Sequence, residues 1–297
     1  PAPVKPSILG ATQPAENNSD MRSNGWDLEV RWRDRIGQVG YGIKLVLSDD
    51  YQTITRYYNP NRLLSQWCEG KRMGDIYGYL VEGIAQSNEQ MNEWLANNKP
   101  SWGSNWAAGD VMYKDLNGDG KISVSDKTYI GNPNPDFTFG LTNDFTYKNF
   151  TLSVFFQGSY GNDIYNASRI ETEGMYDGKN QSTAVLNRWR KPGDITDIPR
   201  AVRSADNIKA SSRWVEDGSY LRLKTLTLAY NLSNEELLRY GIRKIQPYFT
   251  AQNLWTLTNY KGFDPEVNQG LSGPTMGIDW GTYPQTKTFI FGLNIDF

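Results

Sequence analysis

The sequence predicts an all-β chain in which seven strands form part of a transmembrane antiparallel β-barrel. Three observations support this: alternation of apolar and polar residues in seven segments, very unequal connections between them, and the pattern of the last strand. From 286 to 297 the sequence reads TKTFIFGLNIDF. Because side chains alternate across a strand, its large apolar residues share one face and mostly small or polar residues share the other. An outer-membrane barrel turns such an apolar face towards lipid and keeps polar groups in its lumen.

Composition narrows the possible functions. The 297 residues carry a net charge of −2 and include one cysteine, Cys68, and no histidine. Without histidine a Ser–His–Asp triad is impossible, and without a basic excess no nucleic-acid partner is expected. The chain also lacks an apolar run of about 18 residues, so no membrane-spanning helix is predicted. Acidic pairs such as Glu171 and Glu173 would suit a glycosidase, but loop carboxylates are usually solvated, and we expect no enzyme activity.

Seven strands follow from the alternation. They are predicted at about 24–34, 39–57, 136–147, 150–160, 219–231, 244–257 and 286–297. In the first strand Arg31 and Arg33 share a face with acidic residues, while Trp26 and Trp32 lie on the opposite face. Charged residues would be costly inside a soluble barrel but fit a water-filled lumen. The fifth and sixth segments alternate less cleanly, so we expect bulges there.

The connections between the strands are short on one side and long on the other. Turns at 35–38 and 148–149 are tight, and the connection 233–242 is predicted to hold a helical turn capped by Ser233 and closed near Gly241. The alternate connections span 58–135, 161–218 and 258–285. The first of these includes a helix-like segment, SNEQMNEWLANN. Outer-membrane barrels combine short periplasmic turns with long extracellular loops in this way.

Strand parity predicts that the seven strands are not a complete barrel. The last strand must end on the side of the short turns, so counting back places residues 1–22 on the extracellular side. A complete single-chain bacterial barrel has an even number of strands, and a bilayer does not tolerate open sheet edges. We therefore expect 1–297 to be the C-terminal portion of a larger barrel. The remaining N-terminal part of that barrel would pair with both edge strands.

Several segments in this order resemble one family. They are MRSNGWDLEVRWRD (21–34), MGDIYGYLVEGIAQS (73–87), GDVMYKDLNGDGKIS (109–123), IGNPNPDFTFGLTNDFTYKNFTLSVFFQG (130–158) and SRWVEDGSYLRLKTLTLAYNL (212–232). Together they are similar to the C-terminal third of SusC/RagA-like TonB-dependent outer-membrane transporters. The resemblance implies about strands 16 to 22 of a roughly 22-stranded barrel. It also implies an N-terminal plug, coupling to TonB through that missing region, surrounding outer-membrane lipid and a SusD-like surface lipoprotein as partner.

An EF-hand-like calcium loop is predicted within 109–127, in the first long connection. Side-chain oxygens recur at loop positions 1, 3, 5, 9 and 12, position 7 offers a backbone carbonyl, and glycine at position 6 permits the sharp turn. The expected ligands are Asp115, Asn117, Asp119, the Lys121 carbonyl, Ser123 and Asp126. The last is an aspartate rather than the usual glutamate, and no helix pair flanks the loop. The alternative is a polar turn without metal. We expect a structural calcium ion.

Tryptophans concentrate in the predicted extracellular connections. Their flat faces suit sugar rings or peptide side chains, and the alternative is that they pack the loops together. The candidate substrate-binding residues are Trp189, Trp214 and Trp280 in the loops and Arg31 and Arg33 in the lumen. With the resemblance, the predicted function is TonB-dependent uptake of a nutrient, an oligosaccharide or a peptide, together with the SusD-like lipoprotein. The alternative is a non-transporting outer-membrane receptor or adhesin.

Overall fold

The structure is a computed structural model that describes residue 17 and residues 19–64, 66–267 and 276–297. Its strands are β1 (Ser19–Ile36), β2 (Val39–Tyr57), β3 (Ile76–Gly78), β4 (Val81–Ile84), β5 (Lys99–Pro100), β6 (Val111–Tyr113), β7 (Lys121–Ile122), β8 (Thr128–Gly131), β9 (Phe137–Tyr147), β10 (Phe150–Tyr160), β11 (Asp163–Asn166), β12 (Val215–Asp217), β13 (Tyr220–Tyr230), β14 (Lys244–Thr258), β15 (Ile278–Asp279) and β16 (Thr288–Asp296). Its α-helices are α1 (Asn88–Asn97), α2 (Ala167–Glu173) and α3 (Glu235–Arg239). No helix in these residues is long and apolar enough to cross a membrane.

The seven long strands form one antiparallel sheet, which we call the wall sheet. Its order is β1-β2-β9-β10-β13-β14-β16, so each long strand pairs with the next one in sequence. All seven strands predicted from alternation are confirmed. The largest difference in bounds is that β1 begins at Ser19 rather than near residue 24.

One face of the wall sheet is polar, and we call it the lumen face. The register places Arg31 opposite Lys44, and Lys44 opposite Thr142 on the next strand. Towards the other edge the hydroxyls of Thr227 and Thr250 lie 2.9 Å apart. Because residues directly opposite one another share a face, the polar positions predicted for the lumen come together across neighbouring strands.

The opposite face of the wall sheet is apolar and exposed. Phe291, for example, has 80% of its surface exposed. Other exposed apolar residues of this face are Trp26, Leu28, Val30, Trp32, Phe145, Phe150, Leu228, Trp255, Phe289 and Leu293. Soluble proteins rarely expose an apolar area of this extent, whereas the outer face of a membrane barrel is solvated by lipid.

The short connections match their predictions with one correction. Two-residue turns join β1 to β2 and β9 to β10, with Gly37 and Lys148 at positive φ. Between β13 and β14 the helix α3 is capped by Asn234, whose side chain accepts the Leu237 N–H at 2.9 Å. Ser233 was therefore the wrong cap, because the helix begins one residue later. Gly241, at φ 75°, closes the helix as expected.

The bulge expected in the fifth and sixth strands is present. The register of β13 against β14 shifts between Leu223 and Thr225. Opposite this shift Asn253 takes a left-handed conformation, with φ 53°. The extra residue accounts for the weak alternation of both segments, because a bulge exchanges the faces of the residues that follow it.

The wall sheet is open. Among the described residues β1 and β16 each have a single neighbouring strand, and they do not pair with each other. This agrees with the expectation that seven strands do not close a barrel. That strands from another part of a barrel pair with these two edges stays a prediction.

The first long connection (58–136) folds around its own apolar core. The buried residues of this core are Tyr79, Ala85, Met91, Trp94, Val111, Met112, Tyr113 and Ile122. The predicted helix is confirmed as α1, which begins where the Ser87 hydroxyl accepts the N–H of Gln90 at 3.2 Å. The short strand pairs β3–β8, β4–β6 and β5–β7 complete this unit.

The second (161–219) and third (259–287) long connections share one small sheet. Its order is β12-β11-β15, and the parallel pair β11–β15 joins the two connections. Buried Arg169 is paired with Glu173 at 2.8 Å and with Glu216 at 2.6 Å. The buried Tyr260 hydroxyl donates to Asp279 at 2.6 Å. Both polar contacts are shielded from water, so they hold the segments together more firmly than surface pairs would.

The first connection is joined to the second through a buried carboxylate. Asp110 accepts two hydrogen bonds from Arg200, at 2.8 and 2.9 Å, and one from the Asn207 side chain at 2.9 Å. Beside it, backbone hydrogen bonds link Tyr79 with Ala210 and Ser212. The long connections therefore form a folded cap at one end of the wall sheet.

Candidate functional site

The predicted calcium loop is a tight turn in which backbone amides hold the acidic side chains. The Asp115 carboxylate accepts N–H groups from Gly118 at 2.7 Å and Gly120 at 2.8 Å. Gly120 has φ 75°, the left-handed conformation that loop position 6 requires. Asn117 accepts from the Asp119 amide, and Asp119 from the Lys121 amide. The local turn expected from the spacing is thus present.

At the end of this loop lies Asp126, which is fully buried. Its two oxygens accept the N–H groups of Leu116 at 3.0 Å and Ser123 at 2.8 Å. Its carboxyl also adjoins that of Asp115. Desolvation raises the pKa of Asp115, but hydrogen bonds from Gly120 and Gly118 outweigh it, and the pKa lies below its ordinary value. Asp115 is therefore ionised at neutral pH and suited to a cation.

The acidic side chains of the loop do not yet form a closed cage. In the described part of the chain, no three His, Cys, Asp or Glu side chains cluster closely enough to hold a metal ion. The Asp119 carboxylate instead faces its own turn, where it accepts the Lys121 amide at 2.8 Å.

Two of the three candidate tryptophans pack loops together. Trp214 is 0% exposed, and its Nε1–H donates to the Lys209 carbonyl at 3.2 Å. Trp189 is also buried, with its Nε1–H donating to the Gln86 side chain and its ring against Gly109. A ring with no exposed face cannot stack on a ligand, so substrate contact by Trp214 was the wrong interpretation.

Trp280 is placed differently. It is 60% exposed and follows β15 in the third long connection. Sequence alone could not separate it from Trp189 and Trp214, because their burial depends on contacts with other connections. Trp280 therefore remains the loop tryptophan best placed to contact a ligand.

Arg31 and Arg33 lie on the lumen face, as predicted. Arg31 is ion-paired with Glu29, which also pairs with Lys44 of the neighbouring strand at 3.2 Å. Arg33 lies opposite Gly42, where the absence of a side chain leaves room for the arginine stem. This part of the lumen face thus carries exposed charges of both signs, partly compensated by one another.

A further charged cluster holds the third connection against the wall sheet. This cluster was not identified from the sequence. Arg222 of β13, only 3% exposed, pairs with Asp264 at 2.6 Å and Glu266 at 2.7 Å. Lys224 also pairs with Glu266, at 2.8 Å. Asp264 accepts the backbone N–H of Gln285 at 2.8 Å, so the cluster holds both ends of the connection.

The only signal for this cluster in the sequence is the tripeptide Asp264-Pro265-Glu266 in a loop otherwise poor in charge. Its partner arginine lies about 40 residues earlier, and the bulge in β13 sets where that arginine points. Alternation alone therefore does not predict the pairing.

Comparison with known proteins shows which family shares these features. No family model matches the sequence. The chain is 33% identical over 318 aligned residues to TonB-dependent receptor P3 of Formosa agariphila, covering 100% of this chain and 31% of that protein. It is 30% identical over 196 residues to TonB-dependent receptor SusC of Bacteroides thetaiotaomicron, covering 63% of this chain and 17% of SusC.

Solved structures show the same fold. The structure of the RagAB peptide transporter superposes with a TM-score of 0.75 at 22% identity, covering 98% of this chain and 31% of that chain. The chain thus spans about a third of the length of the first of these relatives. Such relatives are receptors and transporters rather than enzymes. With its exposed apolar outer face and folded loops, the chain belongs to the TonB-dependent receptors and forms part of their β-barrel.

Proposed function

We propose that the complete protein takes up a nutrient ligand, an oligosaccharide or a peptide, across the bacterial outer membrane with energy supplied through TonB. The observation that carries this proposal is a wall sheet with one polar face and one exposed apolar face, joined to a folded cap. Its relatives are TonB-dependent receptors, and one structural neighbour is described as a peptide transporter. The remaining barrel strands, the plug and the TonB-binding segment would lie in the part of the protein outside this chain.

The test uses the gene for the full-length protein in its native bacterium. A deletion strain should lose uptake of the radiolabelled ligand, and the full-length gene should restore it. A variant lacking the TonB-binding segment is the matched control, because it should bind ligand at the cell surface without accumulating it. If that variant accumulates ligand normally, or if deletion removes adhesion but leaves uptake intact, the protein is a receptor or adhesin and not a transporter.

A SusD-like surface lipoprotein is the proposed partner, and the cap is the proposed contact region. The cap carries exposed aromatic residues, among them Phe263, Trp280 and Tyr283 of the third connection, and exposed apolar surface commonly marks interaction sites. Purification from native membranes in mild detergent should recover a second, lipid-anchored protein in equal amount. Recovery of the barrel alone under these conditions would argue against this partner.

We also propose that the loop from Asp115 to Asp126 binds one structural calcium ion with the affinity typical of extracellular sites, about 10⁻⁴–10⁻³ M. The ligands would be Asp115, Asn117, Asp119, the Lys121 carbonyl, Ser123 and Asp126. Support comes from the left-handed Gly120, the buried Asp126 and the low pKa of Asp115.

Calcium should protect this loop from proteolysis in the full-length protein, with half-maximal protection near millimolar calcium. Asp119→Ala should abolish the protection, because it removes a proposed calcium ligand whose carboxylate otherwise accepts hydrogen bonds only within its own turn. Asp177→Ala, an acidic loop residue outside the motif, is the control and should leave it unchanged. Absence of any protection by calcium would show that the loop is a polar turn without metal, and protection that persists in Asp119→Ala would show that calcium acts at another site.

A further inference from the structure

The hairpin of β1 and β2 extends beyond the rest of the wall sheet. Strand β2 pairs with β9 only as far as Ser48. Beyond that point a short segment of the first connection lies beside β2 instead, and the Met73 N–H donates to the Gln52 carbonyl at 2.8 Å. We call this part of the molecule the hairpin extension, and it consists of 19–25, 49–57 and 70–73.

Two arginines lie in one row across the hairpin extension. Arg22 is directly opposite Thr53, and Arg72 is directly opposite Thr53 on its other side. Because directly opposite residues share a face and neighbouring strands are about 4.8 Å apart, the Cα atoms of the two arginines are about 10 Å apart. The Arg72 guanidinium lies over the Tyr51 ring, with 4.4 Å from Cζ to the ring centroid. Arg72 therefore points to the same side as Tyr51 and Thr53.

This row lies on the apolar, outer face of the wall sheet. Trp26 belongs to that face, and Asn24 and Arg22 follow it along β1 at steps of two residues. The register shift between β1 and β2 lies beyond Arg22, so the alternation of side chains holds from Trp26 to Arg22. Both arginines of the row are exposed.

The row lies near the end of the apolar band. On β1 this band ends at Trp26, and tryptophan is typical of the boundary between hydrocarbon and headgroups. Arg22 is about 13 Å further along the strand, which is about 9 Å along the membrane normal for a strand tilted by about 45°. The headgroup region is about 5–8 Å thick on each side of the hydrocarbon core. Since an arginine side chain can bend towards this layer, the row can reach lipid headgroups.

The carboxylates near the row leave both guanidinium groups without an ion pair. These carboxylates are Asp20, Asp49 and Asp75. Asp20 is ion-paired with Arg56 at 2.8 Å. Asp75 accepts the backbone N–H of Arg72 at 3.2 Å and the Tyr77 hydroxyl at 3.4 Å. Within the described residues the guanidinium groups of Arg22 and Arg72 make no hydrogen bond, so their donors are available to a ligand.

Basic side chains on the outer face are confined to the hairpin extension. At the outer-face positions of β9, β10, β13, β14 and β16 the described sequence has no arginine or lysine. General attraction to a charged membrane surface would need basic residues along the whole wall. A single row therefore indicates one discrete anion site.

We propose that Arg22 and Arg72 bind the phosphate group of a membrane lipid, with the Thr53 hydroxyl between them as a further donor. The acyl chains of this lipid would lie on the apolar outer face beside Trp26. The forked guanidinium of arginine matches phosphate oxygens with paired, charge-assisted hydrogen bonds. Stacking on Tyr51 holds the Arg72 guanidinium in place. The continuity of the site with the apolar face favours a lipid over a free anion, and the inference does not rest on the proposed uptake function.

The test is native mass spectrometry on the purified full-length protein in a neutral detergent, with dipalmitoyl phosphatidic acid as probe. Dipalmitoylglycerol has the same chains without the phosphate and should bind about thirtyfold more weakly, at about fivefold for each arginine. Inorganic phosphate in about a hundredfold excess should leave most of the lipid bound, because it gains nothing from the apolar face. Equal binding of the two lipids, or displacement by inorganic phosphate, would overturn the proposed ligand.

Exchanging the arginines locates the site. Arg22→Gln/Arg72→Gln should bind the two lipids equally, whereas Arg22→Lys/Arg72→Lys should keep much of the preference because it keeps the charge. Arg190→Gln, which removes an exposed arginine of the cap, is the matched control and should behave like the wild type. Because the exchanged side chains are exposed, every variant should retain the heat-dependent gel migration of the folded barrel. A preference that persists in the double glutamine variant, or that is lost equally in Arg190→Gln, would overturn the assignment to Arg22 and Arg72.

Discussion

Trp214 and Trp280 are residues of the same type that differ strongly in how much of their surface is exposed. Trp214 is enclosed by Tyr165, Ala167 and the guanidinium groups of Arg169 and Arg213. The side chain therefore contributes apolar contact and cation–π attraction to the core shared by the second and third connections. Trp280 contributes little to that core, because most of its surface is exposed.

Replacing each tryptophan in turn should separate these roles. Trp214→Ala should destabilise the cap by about 3–5 kcal/mol, because it leaves a large cavity in a packed site. Limited proteolysis of the full-length protein should then cut the second connection much faster than in the wild type. Trp280→Ala is the matched variant and should leave proteolysis unchanged while weakening ligand binding. Faster cleavage in Trp280→Ala, or none in Trp214→Ala, would contradict the assignment.

The third connection is an element whose position depends on a few charged groups. Burial raises the pKa of Asp264, but hydrogen bonds from Gln285, Glu266 and Arg222 outweigh it, so the pKa lies below its ordinary value. The pairing therefore stabilises the fold above the ordinary carboxyl pKa of about 3.9 and is lost as the pH falls through the lower folded value. At neutral pH the ion pair between Asp264 and Arg222 is therefore formed and holds the third connection against the wall sheet.

Asp264→Asn should release this connection at neutral pH. Breaking a buried ion pair by removing one charge costs about 3–5 kcal/mol, because Arg222 stays buried with only Glu266. Hydrogen exchange of 276–287 should become much faster in this variant. Lys224→Gln is the control, since Lys224 is more exposed and its loss should change exchange far less. In the wild type, the protection factors of these amides, which are corrected for the intrinsic pH dependence of exchange, should stay constant from about pH 7 to pH 5 and fall only below about pH 4. Equal exchange in both variants would show that the cluster does not anchor the connection.

At the scale of the whole molecule, the open wall sheet determines whether the chain can form a barrel without further strands. Strand β1 presents the backbone N–H and C=O groups of one free edge, and β16 those of the other. Lipid offers no partner for such groups. Expressed alone and refolded in detergent, 1–297 should not show the heat-dependent change in gel migration that closed barrels show. The full-length protein, refolded identically, is the control. A heat-modifiable band from 1–297 alone would mean that its seven strands close without help.

The wall sheet was predictable from the sequence, whereas most of the cap was not. In the wall, lipid on one side and water on the other impose a two-residue period that each strand displays locally, as 286–297 does. In the cap, burial depends on partners from distant segments. Arg222 meets Asp264, and Asp110 meets Arg200, across 42 and 90 residues. No local pattern reports such pairings, so Trp214 was misassigned.

The parallel pair β11–β15 has a consequence for the exchange of loops between related transporters. Because β11 belongs to the second connection and β15 to the third, a graft that replaces either connection also removes the strand that pairs with the other. Asp110 couples the first connection to the second in the same way. Chimeras made one loop at a time should therefore misfold, whereas transplanting all three connections as a block keeps every contact among them. Changes of ligand preference in this barrel are accordingly best sought by exchanging the cap as a single module.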